Sequence, residues 1–212
     1  MVETSRLLVF AGAALALIVV PGPSVLFVIG RGVALGRRAA VLTVVGNTIG
    51  AYCQVIAVAI GLGALVERSV ALYTAIKLVG AAYLVYLGIK AVRERRAVAD
   101  AFDAAAVPKS PRRLVGEGFV VGITNPKVIV FFAAFLPQFV DRSAGHVPLQ
   151  ILVLGAIFAA IALVSDSTWG LAAGSARSWL RRSPRRMEHL GGAGGVVMIG
   201  LGLRLALTGR HD

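Results

Sequence analysis

A carboxylate and an ammonium stand in stretches of chain that are otherwise almost free of charge: Asp166 within residues 147–173 and Lys127 within residues 115–139. A charge surrounded by hydrocarbon is costly unless it is paired, hydrated or neutralised, so such residues line solute pathways or relay protons. The amides of Asn47 and Asn125 share this apolar setting. Two proline breaks accompany them, Pro21-Gly22-Pro23 and Asn125-Pro126-Lys127. Proline removes a backbone donor and clashes with the preceding turn, so a helix kinks or unwinds there and exposes peptide groups to a ligand. The chemistry on offer is binding and proton transfer. The three histidines, His146, His189 and His211, lie in connections or at the tail, and no metal-ligand cluster, Gly-x-Ser-x-Gly turn or phosphate loop is present. No enzymatic activity, metal or other cofactor is therefore expected.

The unusual residues share a depth. Counted from the nearest basic residue that ends each apolar stretch, Pro21 lies about 15 Å in, Asn47 about 14 Å, Asn125 about 18 Å and Asp166 about 16 Å, at the helical rise of about 1.5 Å per residue. Lys127 falls at about 21 Å on the same scale and is the candidate countercharge for Asp166. Half the thickness of a bilayer core is about 15 Å, so these positions cluster near the midplane. Tyr83, ten residues before Arg93, reaches the same layer and is a candidate ligand contact. Lys77 is close enough to Arg68 for its side chain to snorkel to the surface, and Glu117 marks an entrance four residues after Arg113.

The elements that position these residues are membrane helices. The 212 residues are 58% hydrophobic and 15% charged, against about 45–50% and about 25% in soluble domains. Residues 7–30 and 39–66 carry no charged side chain. The first apolar stretch outruns a secretion-signal core, and an uncleaved first helix is expected. Charge breaks and Gly/Pro signals place six spans at about 7–30, 40–65, 70–90, 115–139, 147–173 and 190–207. The net charge of +12 would suggest nucleic acid in a soluble protein, but cytoplasmic loops of membrane proteins collect Lys and Arg, and no nucleic-acid partner is expected. Connections after the first, third and fifth spans hold fifteen Lys and Arg against five on the other side. Both termini are thus expected outside the cytoplasm. Cys53 lies alone in an apolar run and reads as a small buried hydrophobe.

Residues 91–113, charged, alanine-rich and bearing Pro108 and Pro111, read as a cytoplasmic linker between residues 1–90 and 114–212. Three spans in each half require any repeat to be inverted in the membrane. The expected fold is an all-α integral membrane protein of six transmembrane helices, built as two inverted three-helix repeats. Gly46 with Gly50 and Gly118 with Gly122 allow close helix approach.

Several motifs in order carry a resemblance. Pro21-Gly22-Pro23 with Gly30-Arg31-Gly32 and Gly36-Arg37, the stretch from Gly80 to Gly88, and Asn125-Pro126-Lys127 followed by Leu136-Pro137-Gln138-Phe139 are similar to the LysE/RhtB family of amino-acid exporters. The resemblance covers nearly the whole chain. It implies efflux of amino acids or related metabolites across a bacterial inner membrane by proton antiport. Pro21, Gly22, Pro23, Asn47, Tyr83, Asn125, Pro126, Lys127 and Asp166 are then the expected substrate contacts, with Asp166 also the proton-coupling candidate. A passive pore for small polar solutes is the alternative, since it too needs a polar midplane, and a structural or signalling subunit would move no solute. The partners expected are an amino-acid-like solute, a proton and the bilayer, with self-association left open.

Overall fold

The computed structural model describes residues 3–66, 70–93, 109–141, 143–176 and 184–207. Among them the chain is helical throughout: α1 (Thr4–Val19), α2 (Pro23–Leu35), α3 (Arg37–Val66), α4 (Val70–Arg93), α5 (Pro111–Ile123), α6 (Pro126–Val130), α7 (Val147–Ser175) and α8 (Pro184–Leu207). Helix α6 runs on through a π turn at Phe131–Phe135 and a 3-10 turn at Leu136–Phe139. Pro137 supplies no N–H to the helix ladder, which accounts for the change of pitch there. Most of the 91–113 linker and the side chain of Lys77 lie outside the described residues.

Each expected span falls on helix, yet their lengths and compositions differ. By both criteria α3 (over Arg37–Gly61) and α7 are long and apolar enough to cross a membrane alone. Helices α1 and α2 meet at 52°, and α5 meets the segment from Pro126 to Phe139 at 42°; each pair qualifies as one bent crossing. Helix α4 contributes the shorter apolar stretch Leu78–Lys90. Two to four crossings therefore follow from length and composition. Helix α8 is long but diluted by glycine and by Arg185, Arg186, Glu188 and Arg204.

Proline placement explains the bends. Pro23 and Pro126 each occupy the first turn of the helix after a break, where a missing N–H costs nothing. Gly22 and Asn125 are the N-caps before them, in extended conformation. Gly36 alone turns α2 into α3 at φ 90°, a conformation that a residue with Cβ rarely adopts.

Packing is tightest where glycines face each other. A Cβ on Gly46 or Gly50 would strike the backbone of Val115 or Phe119 in α5; one on Gly118 or Gly122 would strike Thr43 or Asn47 in α3. Helices α4 and α8 approach likewise through Gly88 and Gly195, and α2 meets α7 through Gly32 and Gly170. In lipid, such backbone contact replaces the missing hydrophobic drive between helices. The main apolar core gathers Phe10 of α1, Val55 of α3, Phe131 and Phe132, and Leu154 and Phe158 of α7. It occupies the end of the bundle that α1 and the Pro126–Phe139 segment reach. Beyond it, Gln150 pins the loop before α7 by accepting from Asp141 N–H at 2.8 Å and donating to the carbonyls of Asp141 and Gly145 at 2.7 Å each. The Ser143 hydroxyl donates to Asp141 in the same loop, which holds that carboxyl below its ordinary value.

Candidate functional site

The two breaks face each other, and each leaves carbonyls without their helical partners. At the first, Pro21 has no N–H to offer Leu17, and the chain turns away before Val20 can be used. The ammonium of Lys127 donates to both carbonyls, at 2.9 Å each. At the second, Pro126 has no N–H for Gly122, and the N–H of Lys127 turns to Asn125 Oδ1 at 3.1 Å instead of Ile123. Here Gln54 of α3 donates through Nε2 to Gly122 and Ile123, at 2.8 and 2.9 Å. Each interrupted helix is thus capped by a side chain from the other half of the chain. Asn125 adds a link between the breaks by donating to Ser24 Oγ at 2.6 Å.

Asp166 lies beside them, buried in α7, where it accepts from Asn47 Nδ2 at 3.2 Å. Asp166 Oδ1 and Asn47 Oδ1 are buried without a hydrogen-bond partner, an arrangement that leaves acceptor capacity open in a low-dielectric place. Asp166, Asn47, Ser24, Gly22, Asn125 and Lys127 line one cavity of about 20 Å³. That is room for about one water molecule, so the polar groups crowd a space too small for a larger solute. A Cβ on Gly22 would come within 3.1–3.2 Å of the Lys127 side chain, so glycine lets the ammonium reach the break. A larger hollow of about 770 Å³ between α1 and α7 is walled by Leu15, Val19, Val164 and Trp169 among others. It offers little to hold a polar solute.

The expected site residues are distributed unequally. Gly22, Asn47, Asn125, Lys127 and Asp166 meet at the cavity, and Pro21, Pro23 and Pro126 shape the breaks beside it. Tyr83 stands apart: it is 41% exposed on α4 and its ring packs on Tyr86 at 5.9 Å. Lys127 acts on Asp166 as a countercharge across the cavity and not through a direct ion pair. It shares the cavity with Asp166 but spends two of its three hydrogens on Leu17 and Val20, and no ion pair joins the two among the described residues. The freed carbonyls take the ammonium's hydrogens, and the carboxylate takes its hydrogen bond from an amide while feeling the Lys127 charge at longer range.

Gln54 and Ser24 escape a reading that looks for charge. Gln54 had a signal, since Thr43, Asn47 and Gln54 follow at four and seven residues and form one polar stripe on α3. Glu117 also proves richer than an entrance marker. It accepts from Arg31 Nη2 at 2.6 Å, from Lys109 at 2.7 and 2.8 Å and from Arg113 at 3.0 Å. It thereby joins α2 to α5 at the opposite end from the aromatic core.

Two interrupted helices, reciprocally capped and closing on a buried carboxylate, define a multi-pass membrane protein whose polar centre is made by its breaks. The chain belongs to the LysE type translocator family, whose model matches residues 15–209. It is 33% identical over 176 residues to a homoserine/homoserine lactone efflux protein of Salmonella typhimurium, covering 83% of each chain. It is 29% identical over 193 residues to a leucine efflux protein of an Enterobacter species, covering 90% of each. An uncharacterized membrane protein of Vibrio cholerae is 37% identical over 187 residues, covering 88% of this chain and 89% of the other. No solved structure matches the chain.

Proposed function

We propose that the protein is a secondary active exporter of amino acids or related small metabolites, working by alternating access and proton antiport in a bacterial inner membrane. The carrying observation is the chemistry of the small polar cavity. Asp166 Oδ1 and Asn47 Oδ1 are open acceptors suited to an ammonium, and the third hydrogen of the Lys127 ammonium is available to a carboxylate. The first N–H groups of α2 add positive dipole at the same break. A zwitterionic amino-acid head group complements all of these. The efflux named for the Salmonella and Enterobacter relatives supports the direction.

Six crossings in two inverted repeats fit the tightest helix pairs. Exchanging first with fourth, second with fifth and third with sixth spans turns the α3–α5 contact into the α7–α1/α2 contact and leaves the α3–α7 and α4–α8 contacts in place. The arginine-rich end, where Arg31 and Glu117 lie, then faces the cytoplasm, and both termini lie outside. The cavity is too small to pass a solute, which favours a carrier that must rearrange over a standing passive pore.

Asp166 takes the substrate ammonium in one half-cycle and the proton in the other. The test is export from proteoliposomes loaded with an equimolar mixture of the protein amino acids and homoserine, under an imposed proton gradient. Uphill loss of one or more amino acids, abolished by an uncoupler, is expected. Asp166→Asn should retain folding and lose proton-driven export; export at the wild-type rate would sink the role given to Asp166. Downhill, unsaturable flux in the wild type would favour the pore.

A further inference from the structure

Arg31 is buried, with 7% of its surface exposed, although it is a cation two helical turns from the polar centre. It lies seven residues after Ser24, which lines the cavity, so both project from one face of α2, about 10 Å apart along the axis. Its guanidinium stacks on the Phe27 ring at 4.6 Å, which fixes its plane. Nη2 donates to Glu117 at 2.6 Å, while the buried Nε has no partner. The Nε–Nη2 edge is a fork that takes a carboxylate through two parallel bonds, and here it is half filled.

Glu117 is placed to let go. Lys109 and Arg113, both belonging to the entry into α5, hold the same carboxylate, Lys109 bridging both oxygens and Arg113 taking Oε1. Glu117 released from Arg31 therefore stays paired, whereas a released Arg31 keeps only the Phe27 ring among its described contacts. Arg31, Lys109 and Arg113 against one Glu117 leave the cluster net positive, which attracts anions to it.

We propose that Arg31 is a carboxylate-binding site at the arginine-rich mouth, where the substrate's carboxylate takes the guanidinium fork, displaces Glu117 and unties α2 from α5 on its way to the cavity. This rests on the exporter reading and deepens it: entry requires a free α-carboxylate, and the ion pair that closes the mouth is opened by the solute itself. The site is distinct from Lys127, which meets the carboxylate only after entry.

The two partners of an ordinary structural ion pair should fail alike when either is neutralised. A competed site behaves otherwise, because one partner binds the solute and the other excludes it. The experiment measures KM and kcat from the arginine-rich side in proteoliposomes for the amino acid exported fastest by the wild type, with its carboxamide as a competitor. Arg31→Gln should raise KM for the amino acid by about tenfold or more, the loss expected for a charged hydrogen-bonded pair, and leave inhibition by the carboxamide unchanged. Glu117→Gln should lower that KM. Should Arg31→Gln fail to insert or fold, the Glu117→Gln result decides alone, and an unchanged or raised KM there overturns the proposal. Equal rises in KM for both variants, or an Arg31→Gln effect shared by acid and carboxamide, also overturn it. A wild type that moves no amino acid removes the exporter reading first, and this site with it.

Discussion

The polar centre is flanked at its two ends by unlike materials. Toward the arginine-rich end, α2 and α5 touch sparingly and are tied by the Arg31–Glu117 bridge. Toward the other end, the ring of Phe10 meets those of Phe131 and Phe139 at 5.9 and 5.2 Å, and Phe158 meets Phe131 and Phe132 at 5.3 and 4.8 Å. An ion pair is one contact deep and a competing ion can replace it, so its strength depends on what else is present. Interlocked rings lose many dispersion contacts together and have no substitute in a polar solute. The difference teaches that, on the exporter reading proposed above, the two ends would open to different stimuli: the first to a charged visitor, the second to a movement of whole helix segments. The π turn at Phe131–Phe135 puts an irregular stretch of helix inside the aromatic end, and such turns often serve function.

Three variants probe this contrast. Phe132 is fully buried among Phe131 and Phe158, and Phe132→Ala should cost about 3 kcal/mol of stability, at the lower end for a large-to-small change because lipid rather than water surrounds the bundle. Thermal unfolding of purified protein in detergent checks it, and a loss no larger than that of an arginine-end variant would erase the contrast. Gln54→Leu keeps the volume but strands the Ile123 carbonyl at the second break and leaves that of Gly122 only the N–H of Asn125 at 3.3 Å. A loss of about 2 kcal/mol is expected in the same assay, as for buried groups left unpaired. A neutral result would mean that the break needs no cap, and that the reciprocal capping is incidental. Lys109→Ala removes one of three cations from Glu117 and should shift stability by no more than about 0.5 kcal/mol. Its visible effect should be on the salt dependence of transport, which ought to weaken as the cluster loses charge.

Much of this was legible residue by residue, for reasons that are local. Pro21, Pro23 and Pro126 forbid particular backbone hydrogen bonds wherever they stand, so the two breaks follow from sequence alone. The shared depth of Asn47, Asn125 and Asp166 follows from a fixed rise per residue, and the cavity that they line agrees with it. Glycine pairs on α3 and α5 announced a close contact, and the two helices meet there. Tyr83 shows where that logic stops, because counting along an axis gives height and not azimuth. Its helix turns the ring toward Tyr86 on the outer face.

The sequence by itself determined that the chain is helical and apolar, where its helices break, and which polar residues lie level with the breaks. Each of these depends on one residue's own chemistry or on the repeat of one helix. Only the tertiary structure decided how those residues are partnered: Lys127 to Leu17 and Val20, Gln54 to Gly122 and Ile123, Asp166 to Asn47, and Arg31 to Glu117 across 86 positions of chain. A lysine in an apolar segment can find a carboxylate, a carbonyl or the surface. The rotation and crossing of the neighbouring helices set which of these comes within 3 Å, and no single segment encodes that.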